Sequence, residues 1–280
     1  MNNYICITCG TQFTETNQPP EICPICTDER QYIRHEGQAW TTLDELRSER
    51  RNRIEKQEEN LYGIGTEPKF AIGQRALLIQ SKAGDQEKAS NVLWDCISLL
   101  DDETVTRVNK LGGISAIAIS HPHYYAAAIE WAHAFDVQVY LHVADQMWVM
   151  RPDPNITFWE EETLSINEDI TLIRAGGHFD GGTLCHWATG TEGKGTLLSG
   201  DIIQVVADRR WVSFMYSYPN YIPLSVAKVT HILEAVQPYA FERLYGAWWP
   251  AVVATKAKES VRLSAERYIR AISPTHPHLE

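Results

Sequence analysis

Two C-x2-C pairs, Cys6-Ile7-Thr8-Cys9 and Cys23-Pro24-Ile25-Cys26, stand thirteen residues apart and take four of the chain's six cysteines. A tight turn within each pair directs two thiolates toward one ion, and Gly10 relieves the backbone just past the second ligand. Two such turns facing each other close a tetrahedral four-thiolate site. The intervening segment 11–22 carries Phe13 and Pro19-Pro20, enough for a loop or hairpin but not for a core. A metal would therefore supply the folding energy of this segment. The start, Met1-Asn2-Asn3-Tyr4, has neither the basic residues nor the apolar run of a signal peptide, which predicts a cytoplasmic protein. In that setting clustered cysteines read as metal ligands before disulfides. Free thiols are the bland alternative. A thioredoxin-like redox pair lacks the βαβ surround it needs.

Over residues 4–30 the spacing resembles the zinc-ribbon and rubredoxin-type knuckles, which read C-x2-C-G followed by C-P-x-C. The resemblance implies a structural zinc at Cys6, Cys9, Cys23 and Cys26, although four thiolates suit iron as well. We divide the chain into a knuckle at 1–36, a charged linker at 37–66 and a main domain at 67–280. Thr42 with Glu45 three residues on forms a capping box, so the linker is expected to be a solvated helix through residue 59.

From residue 70 the pattern becomes that of a layered α/β domain. Strands are expected at 70–79, 91–96, 114–120, 137–142, 170–174, 183–187 and 195–198. Helices are expected at 104–111, 124–135, 225–236 and 252–272, with a polar loop at 81–90. No apolar run approaches the length needed to span a bilayer. A net charge of −11 without a basic block argues against a nucleic-acid partner, because such binding rests on neutralising phosphates. Nine Trp and twelve Tyr suit a well-packed core and an aromatic-lined pocket.

The chemistry-bearing residues fall where those strands end. Asp95 ends one strand, Ser120-His121-Pro122-His123 follows the next, Gly176-Gly177-His178 follows a third, and Ser199-Gly200-Asp201 a fourth. Strand ends are where α/β proteins usually build sites. The ordered set resembles the metallo-β-lactamase superfamily across residues 70–250, and implies a four-layer αββα sandwich. It also implies that His121, His123 and His178 form a metal site holding zinc or iron, with Asp201 as the carboxylate beside it and Asp95 in a supporting role.

The superfamily pattern H-x-H-x-D-H is broken here. Its Asp and second-site His are replaced by Tyr125 and Ala126, and its late His falls in Ala247-Trp248-Trp249. One ion is therefore expected at the histidines. Asp201, if not a ligand, is a candidate general base. Asp180 is a second candidate base, and Tyr125 a candidate oxyanion donor. Their plainer roles are to fix a loop and to fill space. His142 and His186 lie on strands and read as core residues, and His133 as a helix residue facing a neighbour or solvent. His276 and His278 belong to a polar tail. Asp208-Arg209-Arg210-Trp211 and Tyr216-Ser217-Tyr218 either line a pocket for an anionic substrate or form a packed loop.

The leading reading is a metal-dependent hydrolase of a small ester, thioester, lactone or amide. Two others stay open. One is an iron-dependent redox protein related to flavodiiron and rubredoxin systems. The other is a non-catalytic module that binds a metabolite, with the knuckle docking a protein partner.

Overall fold

The computed structural model describes residues 1–81 and 90–273; the expected loop lies largely outside them, as do His276 and His278. Two β-sheets stack face to face. The first has seven strands in chain order, Arg51–Glu58, Leu61–Glu67, Ala76–Ile79, Val92–Trp94, Ala116–Ala118, Gln138–His142 and Ile156–Trp159. Its first four strands pair antiparallel and its last four parallel. The second sheet orders Thr163–Ser165, Ile170–Arg174, Thr183–Trp187, Thr196–Gly200, Arg243–Gly246 and Val252–Val253. Only its Thr196–Gly200 and Arg243–Gly246 pair is parallel.

The period-2 alternation of strands explains the layering. In Ala76–Ile79, Leu77 and Ile79 point into the space between the sheets, where they meet Leu172, Cys185 and Leu198 of the second sheet. Ala76 and Leu78 point the other way, into a core shared with Val108, Trp131 and Ala132 of the helices Asp102–Lys110 and Ala128–Phe135. On the outer face of the second sheet, Ile173, Leu184 and Leu197 pack on Val229, Ile232 and Val261 of the helices Val226–Val236 and Ala257–Ile272. Both faces of both sheets are covered, so the strands at their centres read as unbroken apolar runs. The result is the expected αββα sandwich.

The charged stretch differs from its expectation. The capping box forms, with Thr42 Oγ1 accepting from the Glu45 amide and Glu45 Oε2 accepting from the Thr42 amide, but the helix stops at Leu43–Glu49. Arg51–Glu58 and Leu61–Glu67 then form a hairpin at the edge of the first sheet. Alternating charges guard an edge strand against pairing with another chain, and here they masked its period. One face is still buried, through Asn52, whose side chain donates to Leu99 O and Thr104 Oγ1 at 2.9 and 3.0 Å. The expected helix at 124–135 begins as a single turn, Pro122–Tyr124, and resumes at Ala128–Phe135 after Ala126 adopts φ +46°. Likewise Val252–Val253 is a strand, and the last helix starts at Ala257.

Candidate metal centre

The first cluster is built by local turns. Ile5–Cys6 pairs with Trp40–Thr41, and Gly10 at φ +86° donates its amide to Cys6 O to close the first C-x2-C turn. In the second, Thr27 N donates to Cys23 O across the turn Pro24–Thr27. All four sulfurs are buried and lie within 4.8 Å of one another. The pairs Cys6–Cys26 and Cys9–Cys23 are 3.6 and 3.7 Å apart. A tetrahedron with metal–sulfur bonds of ~2.3 Å has edges of about 3.8 Å, so the donor set fits one four-coordinate ion. Around the sulfurs the knuckle's small core adds Phe13 and Ile25, packed against Trp40, Ile72, Trp148 and Met150.

The second cluster sits where strands of both sheets end together. Asp95 leaves Val92–Trp94 at φ +59° with its amide bonded to Ala118 O. Its Oδ1 accepts from the Ser120 amide at 2.8 Å and from Ser120 Oγ at 2.7 Å. Because the one hydroxyl proton of Ser120 goes to Asp95, its oxygen is left to accept from His121 Nδ1, 2.9 Å away. That fixes the proton on Nδ1 and leaves Nε2 of His121 with a lone pair facing the cluster. His123 arrives two residues later on the Pro122–Tyr124 turn, and His178 on the loop after Ile170–Arg174. Gly182 is required in that loop, since a Cβ there would lie 1.8 Å from Gly176 O.

His121, His123 and His178 are buried, with one ring nitrogen of each within 4.8 Å of the others. All three Nε2 atoms and Asp201 Oδ1 are buried without a hydrogen-bond partner from the described residues. Asp201 Oδ1 is 3.2 Å from His121 Nε2 and 3.7 Å from His178 Nε2. Three converging imidazole nitrogens with no other satisfaction among the described residues fit a cation, and Asp201 Oδ1 stands beside them. Burial drives all four toward their uncharged forms. It lowers His121 and His178 well below the usual imidazole range and His123 to about 3, and the Arg30 charge pushes each the same way. Asp201 is raised to about 7 by burial and then by the charge of Asp95, itself raised to about 7 by burial. The His121–Asp201 contact is therefore no ordinary ion pair; neutral imidazoles are ready as ligands, and a cation among them restores the carboxylate.

A cleft of about 410 Å³ opens over His123, His178 and Asp201. Tyr216, Tyr218 and Trp248 wall it, together with Arg30 and Tyr32 from the N-terminal segment and Lys69, which has no carboxylate partner among the described residues. A larger groove of about 630 Å³, between the helices Val226–Val236 and Ala257–Ile272, contains no member of either cluster.

Three of the candidate groups lie away from the histidine cluster. Tyr125 is buried in the core beneath the first sheet's helices and does not line the cleft. The phenol of its neighbour Tyr124 is fully buried beside Asp201 instead, held well above the usual phenol range by burial and then by the Asp201 charge. Asp180 is carried to the surface by the turn that sends His178 inward, and pairs with Lys228 Nζ at 3.0 Å. Asp208 and Arg210 form an exposed pair at 2.7 Å outside the cleft, while Tyr216 and Tyr218 of the same region do line it. His186 is a satisfied core residue, its Nε2 bonded to Ala240 O at 2.8 Å. His133 meets Asp153 at 3.0 Å. His142 accepts from the Ala144 amide through Nδ1 but leaves Nε2 unpartnered. Arg30 and Lys69 escaped sequence reasoning because no motif links them to the histidines.

The uncharacterized protein YmaE of Bacillus subtilis (strain 168) is 54% identical over 275 residues, covering 98% of both chains. The chain belongs to the YmaE family. No family model matches it. Among solved structures, the metallo-β-lactamase FIM-1 from Pseudomonas aeruginosa in its mono-zinc form superposes with a TM-score of 0.55 at 13% identity, covering 77% of this chain and 95% of that one. A metallo-β-lactamase from Hirschia baltica gives 0.54 at 14%, with 78% and 97% covered. These neighbours establish a metallo-β-lactamase fold for this member of the YmaE family, with a four-cysteine cluster at its N-terminus.

Proposed function

We propose that the protein is a metal-dependent hydrolase of a small anionic ester, thioester, lactone or amide, working with one ion at His121, His123, His178 and Asp201. The observation that carries this reading is the set of three orphaned imidazole nitrogens beside an orphaned carboxylate oxygen, at the floor of a cleft. The likeness to a metallo-β-lactamase in a mono-zinc form supports it. A metal held there supplies Lewis acidity toward a carbonyl and ionises water near neutral pH.

The chain's own residues do the rest. Ser120 and Asp95 orient His121. Asp201 stands beside the three histidines and, where it is not itself a ligand, is the group placed to take a proton from attacking water. Tyr216, Tyr218 and Trp248 give the substrate an aromatic enclosure, and Lys69 at its edge offers a cation to an anionic group. At the cysteine cluster we infer a structural ion, zinc before iron.

The test is turnover of a panel of such substrates by fully metal-loaded protein. Asp201→Asn should cut the rate ~10²-fold or more. Lys69→Ala should raise KM for anionic substrates while leaving neutral analogues unaffected. No turnover across the panel would favour the binding-module reading, and a visible spectrum typical of iron at the thiolates would favour the redox one.

A further inference from the structure

The cysteine knuckle touches both segments that carry the histidines. The amide of Gln12 donates to Ala126 O at 2.9 Å, three residues past His123. Arg30, four residues past Cys26, donates from NH1 to the backbone oxygen of His178 at 2.9 Å. Its guanidinium carbon lies 4.1 Å from the centre of the Phe179 ring, which also meets the rings of His123 and His178 at 4.9 and 5.3 Å and those of His121 and Trp148 at 5.6 Å. Phe179 is thus held between the imidazoles and a cation that comes from the knuckle. Asp28 orients that cation, accepting from NH2 at 2.8 Å. From the opposite wall, Ser217 Oγ donates to Arg30 O at 3.1 Å and Asn220 Nδ2 to Gln31 O at 3.0 Å.

Arg30 has its place because the turn holding Cys23 and Cys26 sets where the chain runs next. That turn lacks a core of its own, so an ion at the thiolates holds it. We propose that Arg30 is a positioning residue for His178, and that loading of the cysteine site is coupled through it to metal affinity at the histidine site. The proposal rests on the reading of the histidine cluster as a metal site. Loss of the thiolate-bound ion frees segment 23–31, removes the charge-assisted hydrogen bond from the His178 carbonyl and uncovers Phe179. Removal of such a supporting partner weakens metal binding by about 10- to 100-fold.

Titration of the full-length protein with Co2+ tests this, because thiolate and imidazole sites give separate absorption bands. Arg30→Ala should keep the thiolate band and weaken binding at the histidines at least ~10-fold. Cys23→Ser should lose the thiolate band and weaken the histidine site by a similar factor. The double variant should be no weaker than Cys23→Ser alone, since both act through one contact. Histidine-site affinity within twofold of wild type in the single variants would overturn the proposal. So would a double variant in which the two losses multiply. A wild-type protein that fills its thiolates but never the histidines would instead refute the underlying site, a result distinct from the other two.

Discussion

Ser120→Ala isolates the support beneath the histidine site. The substitution removes one hydroxyl that donates to Asp95 at 2.7 Å and accepts from His121 Nδ1 at 2.9 Å. The backbone amide of Ser120 still reaches Asp95 at 2.8 Å, so the carboxylate keeps one donor. His121 keeps none, because its ring is fully buried and Ser120 is its Nδ1 partner. Leaving a buried N–H unpaired costs about 1–3 kcal/mol. Some of that falls on stability. The rest falls on metal affinity, because the tautomer presenting Nε2 loses its preference, and outer-shell losses of this kind run to about 10–100-fold. We expect a chelator-competition assay to show metal binding weakened by at least ~10-fold, with melting of the metal-free protein lowered by a few degrees. Ser115→Ala is the control. Its hydroxyl likewise donates a hydrogen bond, here to the main-chain oxygen of Asn91 at 2.8 Å, but touches none of the clustered histidines. Its metal affinity should not change. If Ser120→Ala binds metal as tightly as this control, the Asp95–Ser120–His121 chain plays no part in holding the site.

Three further outcomes follow from the same geometry. Wild-type protein should hold two metal ions per chain by elemental analysis, and His123→Ala about one, with the thiolate ion retained; three tightly held ions would refute a single-ion histidine site. For the metal-free protein, the stability advantage of wild type over Asp201→Asn should be greatest near pH 4 and fall as pH climbs toward about 7, while His121, His123 and His178, lowered by burial, pull total stability the other way. Native Asp201 binds its proton up to about 7 whereas the unfolded chain releases it near 3.8; Asp95 adds to total stability in the same sense. Denaturant melts of both proteins across that range check the difference; a wild-type advantage that grows with pH would refute the assignment. Gly182→Ala should lower the melting temperature and abolish metal binding at the histidines, since its Cβ would meet Gly176 O at 1.8 Å; normal melting and normal metal content would show that the His178 turn is not so confined.

Sequence alone determined the parts of this protein that depend on neighbours along the chain. Two C-x2-C turns set four sulfurs on one point because each pair is closed by its own few residues. The order Asp95, His121-x-His123, His178 and Asp201 specified a common site because each group ends a strand, and the sandwich gathers those ends on one side. Whatever depends on the direction of a side chain toward a distant segment was decided by tertiary structure. Tyr125 and Tyr124 are adjacent and both buried in one core, yet the turn sets only Tyr124 against Asp201. Asp180 and His178 share a loop and leave it on opposite sides. The hairpin at 51–67 was hidden because an edge strand is charged for reasons that concern other molecules, not its own packing. Arg30 meets the His178 carbonyl 148 positions away. Nothing local to either residue encodes that contact, because it exists only where the packed knuckle and the packed sandwich bring two separate loops to the same cleft.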